Sequence, residues 1–307
     1  MISTLTPAGL QFLGSVDNLQ GRLNKVQNEL SSGLAVSQPS DAPDQVSAIL
    51  QLHANIQHNQ QVQSNLNAVN SEVTTADQSL SSAITLLDQV QTLVTGGVGV
   101  NQTPATRATL AGQVQDLMQQ MVSLSQTKAS GSYIFSGDAD QSPSYQFDAN
   151  SPTGVDRLQV SSSTRQMEDA SGNTFSTGLS ANQIFDVRDS SDKPTAGNVF
   201  AAMNAVRVAL LNNDATGIQN AASAVKDASN YLNQQQGFYG TVENRITAAL
   251  SSASSAALSY QTDLSNRQDA DETTAILQMQ QYTTNLQAAM ASEAKMPQTS
   301  LFTLLQG

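Results

Sequence analysis

The 307-residue chain has no cysteine, so a disulfide framework, thiolate catalysis and a thiolate zinc site are all excluded. It has no tryptophan, and aromatic residues make up only 5%. Basic residues are scarce: 13 Lys and Arg against 25 Asp and Glu give a net charge of −12. That balance argues against nucleic acid or an anionic membrane as partner. No stretch approaches the roughly 20 apolar residues of a membrane span. The opening M-I-S-T-L-T-P-A-G-L-Q-F-L-G has neither a basic start nor a long apolar run. A Sec signal is therefore not expected, and export would use another route. What remains is a chain 39% hydrophobic and rich in Ser, Gln, Asn and Ala, the composition of long slim helices rather than of a thick core.

The pattern near the N-terminus has the same character. Phe12, Val16, Leu19, Leu23, Val26 and Leu30 follow steps of 4, 3, 4, 3 and 4, a heptad seam on an otherwise polar helix. One narrow stripe does not offset the conformational entropy of ordering some 20 residues. The helix needs a partner.

After Leu30, Gly33, Pro39 and Pro43 break the helix, and Ser40 or Asp41 is positioned to cap the next one. A second helix is expected from about Pro43 to Thr95. Within it Val62, Leu66, Val69, Val73, Ala76, Leu80, Ala83, Leu87, Val90 and Val94 keep the alternating spacing without a miss. Gly96, Gly97 and Gly99 should end it, without the strand or the Gly-Lys-Ser/Thr of a phosphate loop. Thr103 caps a third helix with Pro104 at its first position and Leu110, Val114, Leu117, Met121 and Leu124 on one face. The short link makes it antiparallel to the second. From Ser132 to Pro194 short aromatic and β-branched runs (Y-I-F, Y-Q-F-D, R-L-Q-V, N-T-F-S-T-G, Q-I-F-D-V) alternate with Gly, Pro, Asn and Asp, the pattern of a small β-rich surface module. Helical spacing resumes at Val199 and in a long helix from Thr216, with Gly237 and Gly240 as a candidate kink or close approach. Met279, Tyr282, Leu286 and Ala289 then form a second seam, and the chain ends L-F-T-L-L-Q-G.

The expected fold is mainly α: an elongated antiparallel helical rod with terminal coiled-coil segments and a small β-rich insert. Residues 1–40 with 265–307 form the terminal assembly domain, 41–131 with 195–264 the rod, and 132–194 the insert. The terminal seams then partner each other and neighbouring copies. The assembly residues are Phe12, Val16, Leu19, Leu23, Val26, Leu30, Met279, Tyr282, Leu286, Leu301, Leu304 and Leu305.

Little in the chain points to chemistry. His53 and His58 are five apart, not the i, i+4 pair of a helical metal site. Asp186, Asp189 and Asp192, and Asp269, Asp271 and Glu272, cluster without an Asp-x-Asp-x-Asp-Gly loop. The many serines lack a G-x-S-x-G elbow and an evident base. No catalytic residue, cofactor or metal is expected.

Four segments, in order, resemble the bacterial flagellin superfamily. E-L-S-S-G-L-A-V-S-Q-P-S-D-A-P-D (Glu29 to Asp44) is similar to the family's Leu-Ser-Ser/Thr-Gly-Leu turn and the Ser-Ala-x-Asp-Asp-Ala after it. G-T-V-E-N-R-I (Gly240 to Ile246) resembles Gly-Ala-x-Gln-Asn-Arg, and D-A-D-E-T-T-A (Asp269 to Ala275) resembles Asp-Ala-Asp-x-Ala. The tail resembles the Leu-Leu-rich closing helix. The resemblance covers roughly residues 1–140 and 195–307. G-S-Y-I-F-S-G (Gly131 to Gly137) and the M-I-S-T-L-T start look like the hook–filament junction branch, hook-associated protein 3. Gln89 and Gln91 stand where filament flagellins carry the arginines read by an innate immune receptor. The resemblance implies a structural protein exported unfolded through the flagellar type III channel with an export chaperone. Outside the cell it would assemble as a homo-oligomeric ring between a neighbouring hook-associated protein and flagellin. Terminal segments disordered in the free monomer would pair only on assembly. The alternative within the superfamily is a filament-forming flagellin.

Overall fold

A computed structural model describes residues 7–99, 102–169 and 172–295. The expected assembly residues Leu301, Leu304 and Leu305 lie outside them. Seven helices are present among the described residues: α1 (Pro7–Ser32), α2 (Val46–Val98), α3 (Pro104–Ser125), the single turn α4 (Ala181–Ile184), α5 (Val199–Leu211), α6 (Ala215–Gln268) and α7 (Glu272–Lys295). The chain divides into two compact units, residues 1–58 with 257–307 and residues 59–256.

The larger unit holds one continuous apolar core. On α2 nine of the ten expected stripe positions are buried and Val69 is half-buried. Hydrogen bonds from Asn59 Nδ2 to the Ala253 carbonyl (2.7 Å) and from Thr74 Oγ1 to Glu243 Oε1 (3.2 Å) run α6 antiparallel to α2. Ser79 Oγ against Thr127 Oγ1 (3.1 Å) at one end, and Arg107 Nε donating to the Gly97 carbonyl (2.9 Å) at the other, make α3 antiparallel to α2 as well. Thr103 caps α3 as expected, its hydroxyl accepting from the Thr106 amide (3.1 Å). The buried face of α3 is broader than the expected stripe and includes Ala111, Met118, Val122 and Ser125, because α5 packs on it beside α2.

Three expectations change. The helix α2 does not stop at Gly96 but runs through Gly97 to Val98. A Cβ on Gly97 would lie 2.7 Å from Leu210 Cδ2, so that glycine admits α5 rather than breaking α2. Gly237 and Gly240 have open space where a Cβ would be and mark no close approach. Asp41 does not cap α2; its carboxylate accepts from the amides of Ser37 (3.0 Å) and Gln38 (2.9 Å) and stiffens the loop before it.

The insert is three separate antiparallel hairpins: β1 (Lys128–Ala129) with β2 (Ser132–Tyr133), β3 (Tyr145–Phe147) with β4 (Val155–Arg157), and β5 (Gln166–Glu168) with β6 (Thr174–Ser176). Hairpins this short do not stand alone. Their aromatic side chains are buried with those of the helices. Phe135 meets Phe185 edge-on at 5.6 Å and Tyr239 of α6 at 6.5 Å, and Tyr145 lies 5.0 Å from Phe200 of α5. The insert therefore belongs to the helical core and is not a free surface knob. Q-I-F-D-V is not a strand: Gln183 and Ile184 belong to α4, and Phe185 follows as its C-cap inside the aromatic cluster.

Candidate assembly interface

The smaller unit is built differently. Only Val26, Ile49 and Ala275 are buried apolar residues among its described positions, while Leu10, Leu13, Leu50, Leu258, Ile276, Leu277 and Met290 are exposed. Helix α1 packs on α7. Of the six seam positions on α1, Val26 is buried, Phe12, Val16, Leu19, Leu23 and Leu30 are half-buried, and every residue between them from 13 to 28 is exposed. Met279, Tyr282, Leu286 and Ala289 of α7 are also half-buried. Two helices alone leave most of these positions partly open.

Apart from Leu277, which faces away from the seam, the exposed apolar residues of the pair share one side. A residue one place after a seam position sits about 100° further round its helix. In an antiparallel pair that turn points to the same side from both helices. Leu10 and Leu13 of α1 and Ile276 and Met290 of α7 share that side, and Arg22 and Lys25 lie on the opposite one. Lys25 pairs loosely with Glu29 (3.8 Å).

The two helices are held at one end by their linkers. The Ala270 amide donates to the Gly33 carbonyl (2.8 Å), and the amides of Ala35 (2.8 Å) and Val36 (3.2 Å) both donate to the Gln268 carbonyl. Leu34 and Asp269 face each other as an antiparallel bridge. Gly33 ends α1 at φ +73°, its amide bonded to the Glu29 carbonyl (2.8 Å), the left-handed geometry that glycine supplies at a helix C-terminus. Asp271 caps α7, accepting from the amides of Thr273 (3.0 Å) and Thr274 (3.2 Å), and these bonds, the Thr274 hydroxyl first, hold its carboxyl below the usual carboxylate range. The segments Glu29 to Asp44 and Asp269 to Ala275 were legible as separate marks. Their meeting was not, and Val36 and Gln268 were missed; the signal was Gly33, a breaker placed directly after an unbroken seam.

The acidic clusters are accounted for without a ligand. Asp269 accepts from Ser265 Oγ at 2.5 Å. Buried Asp186 takes Arg157 Nε and Arg188 Nε at 2.9 Å each and Asn198 Nδ2 at 2.6 Å, while Asp189 accepts two amides of its own turn. His53 and His58 are exposed on α2. Among the described residues no helix is long and apolar enough to cross a membrane.

Comparison with known proteins agrees with this architecture. Residues 2–140 match the bacterial flagellin N-terminal helical region. No curated protein sequence matches the chain significantly. Among solved structures, one from Vibrio parahaemolyticus described as a flagellar hook-associated protein superposes with TM-score 0.65 at 18% identity, over 75% of this chain and 100% of that one. Flagellar hook-associated protein 3 from Legionella pneumophila gives TM-score 0.60 at 14% identity, over 72% and 98%. FlgL of Bacillus cereus gives 0.55 at 16%, over 71% and 100%. Over residues 2–140 the chain is thus similar to the bacterial flagellin N-terminal helical region, and it has the fold of the solved flagellar hook-associated proteins.

Proposed function

We propose that this protein is a structural subunit of the bacterial flagellum that joins hook to filament. The observation that carries the reading is the α1–α7 pair: a matched seam, joined at its linkers, that two helices leave only half covered. Neighbouring copies complete the cover, in a ring between another hook-associated protein and flagellin. Export unfolded, with a chaperone, suits ends that fold fully only on those neighbours. No catalytic step or cofactor enters the function.

Electron microscopy of a strain lacking the gene tests the assignment. Hooks that carry no filament, with flagellin shed into the medium, are expected. A strain that keeps a normal junction but has no filament protein would instead make this chain a filament flagellin.

A further inference from the structure

The bonds at the base of the α1–α7 pair join residues far apart in sequence: Gln268 Nε2 also donates to the Val36 carbonyl, 232 positions away (3.4 Å). Three backbone amides and one side-chain amide join the linker after α1 to the last residue of α6 and the short linker that follows it, and each linker directly adjoins a terminal helix. The geometry depends on Gly33. Its carbonyl receives the Ala270 amide, and its φ is +73°. A Cβ at Gly33 would meet nothing within 4 Å, so the demand for glycine there is purely one of backbone conformation.

We propose that this clamp is a conformational switch: α1 and α7 order and melt as one unit because both pass through it, and the left-handed state of Gly33 is the latch. Closing the clamp fixes the axial register of the two seams before most of their side chains meet, so neither helix orders alone. The proposal concerns the pair itself and holds whatever the pair assembles with.

The test is hydrogen exchange of the full-length chain, read by mass spectrometry along a titration with trimethylamine N-oxide, which favours ordered states. Segments 7–32, 33–36, 268–270 and 272–295 should gain protection at one common midpoint. Gly33→Val should move that midpoint upward for all four segments and raise their exchange on the order of tenfold at a fixed concentration, the effect of forcing a β-branched residue into the left-handed region. Gly33→Asn, which tolerates that region, should stay within about threefold of the parent. Separate midpoints for α1 and α7, no gain of protection at any concentration, an unshifted Gly33→Val, or a Gly33→Asn shifted as far as Gly33→Val would each overturn the switch. None of these readouts depends on a flagellum.

Discussion

A leucine in this chain has one of two quite different jobs. Leu80 is fully buried on α2, whereas Leu23 is half-buried on a seam that faces one helix. Leu80→Ala should cost about 2–5 kcal/mol in urea unfolding of the soluble chain, the usual range for a core leucine. Leu23→Ala should leave that unfolding within about 0.5 kcal/mol of the parent and still block incorporation into flagella, scored by motility. Tyr239 gives a second residue-scale handle. Burial pushes its hydroxyl up to about 12, although it accepts the Leu179 amide, which pulls the other way (3.2 Å). A raised folded value means full stability below 10.0, the unfolded value, and loss as pH climbs toward 12. Melting temperature should therefore fall between those limits, and Tyr239→Phe should flatten the fall while lowering stability at neutral pH by about 1 kcal/mol for the lost hydrogen bond.

At the scale of the element, the long helices were legible, while of the hairpins only strand fragments such as Tyr145–Phe147 and Thr174–Ser176 were, and not their pairing or packing, for a physical reason. The α2 stripe from Val62 to Val94 repeats ten times, so one period dominates and tertiary context only confirms it. The insert's strands are two or three residues long, too short to express alternation, and their aromatic residues answer to Phe200 and Tyr239, which are distant in sequence. The same limit hid the linkers: Gly33 announces a break, but only the fold pairs it with Ala270. Among the described residues the buried core reaches from Val62 to Ala249 with no contribution from α1 or α7. Removing Met1–Ser31, or everything after Asp269, should leave a soluble chain that melts cooperatively by circular dichroism yet no longer assembles. Loss of the cooperative melt, or continued assembly, would refute the division of labour.

For the molecule as a whole, three carboxyls contribute to the acid limit of stability. Hydrogen bonds hold these three carboxyls below their ordinary value: Asp41, first through the Gln38 amide; Asp140, first through Gln141 and also through Arg165; and Asp271. Depressed folded values contribute stability above the unfolded value of 3.8 that is lost as pH falls through the folded ones. Thermal melts should therefore hold steady down to about pH 5 and drop below about pH 4, with Asp140→Asn making the drop shallower. The bonded linkers have one more implication. Because the Val36 and Gln268 main chains are fixed to each other, everything between them begins and ends at one anchored point. The intervening sequence can lengthen, shorten or be exchanged without changing the spacing of the terminal helices. An engineer could therefore graft a foreign loop into the middle of the chain while the terminal pair keeps its own dimensions.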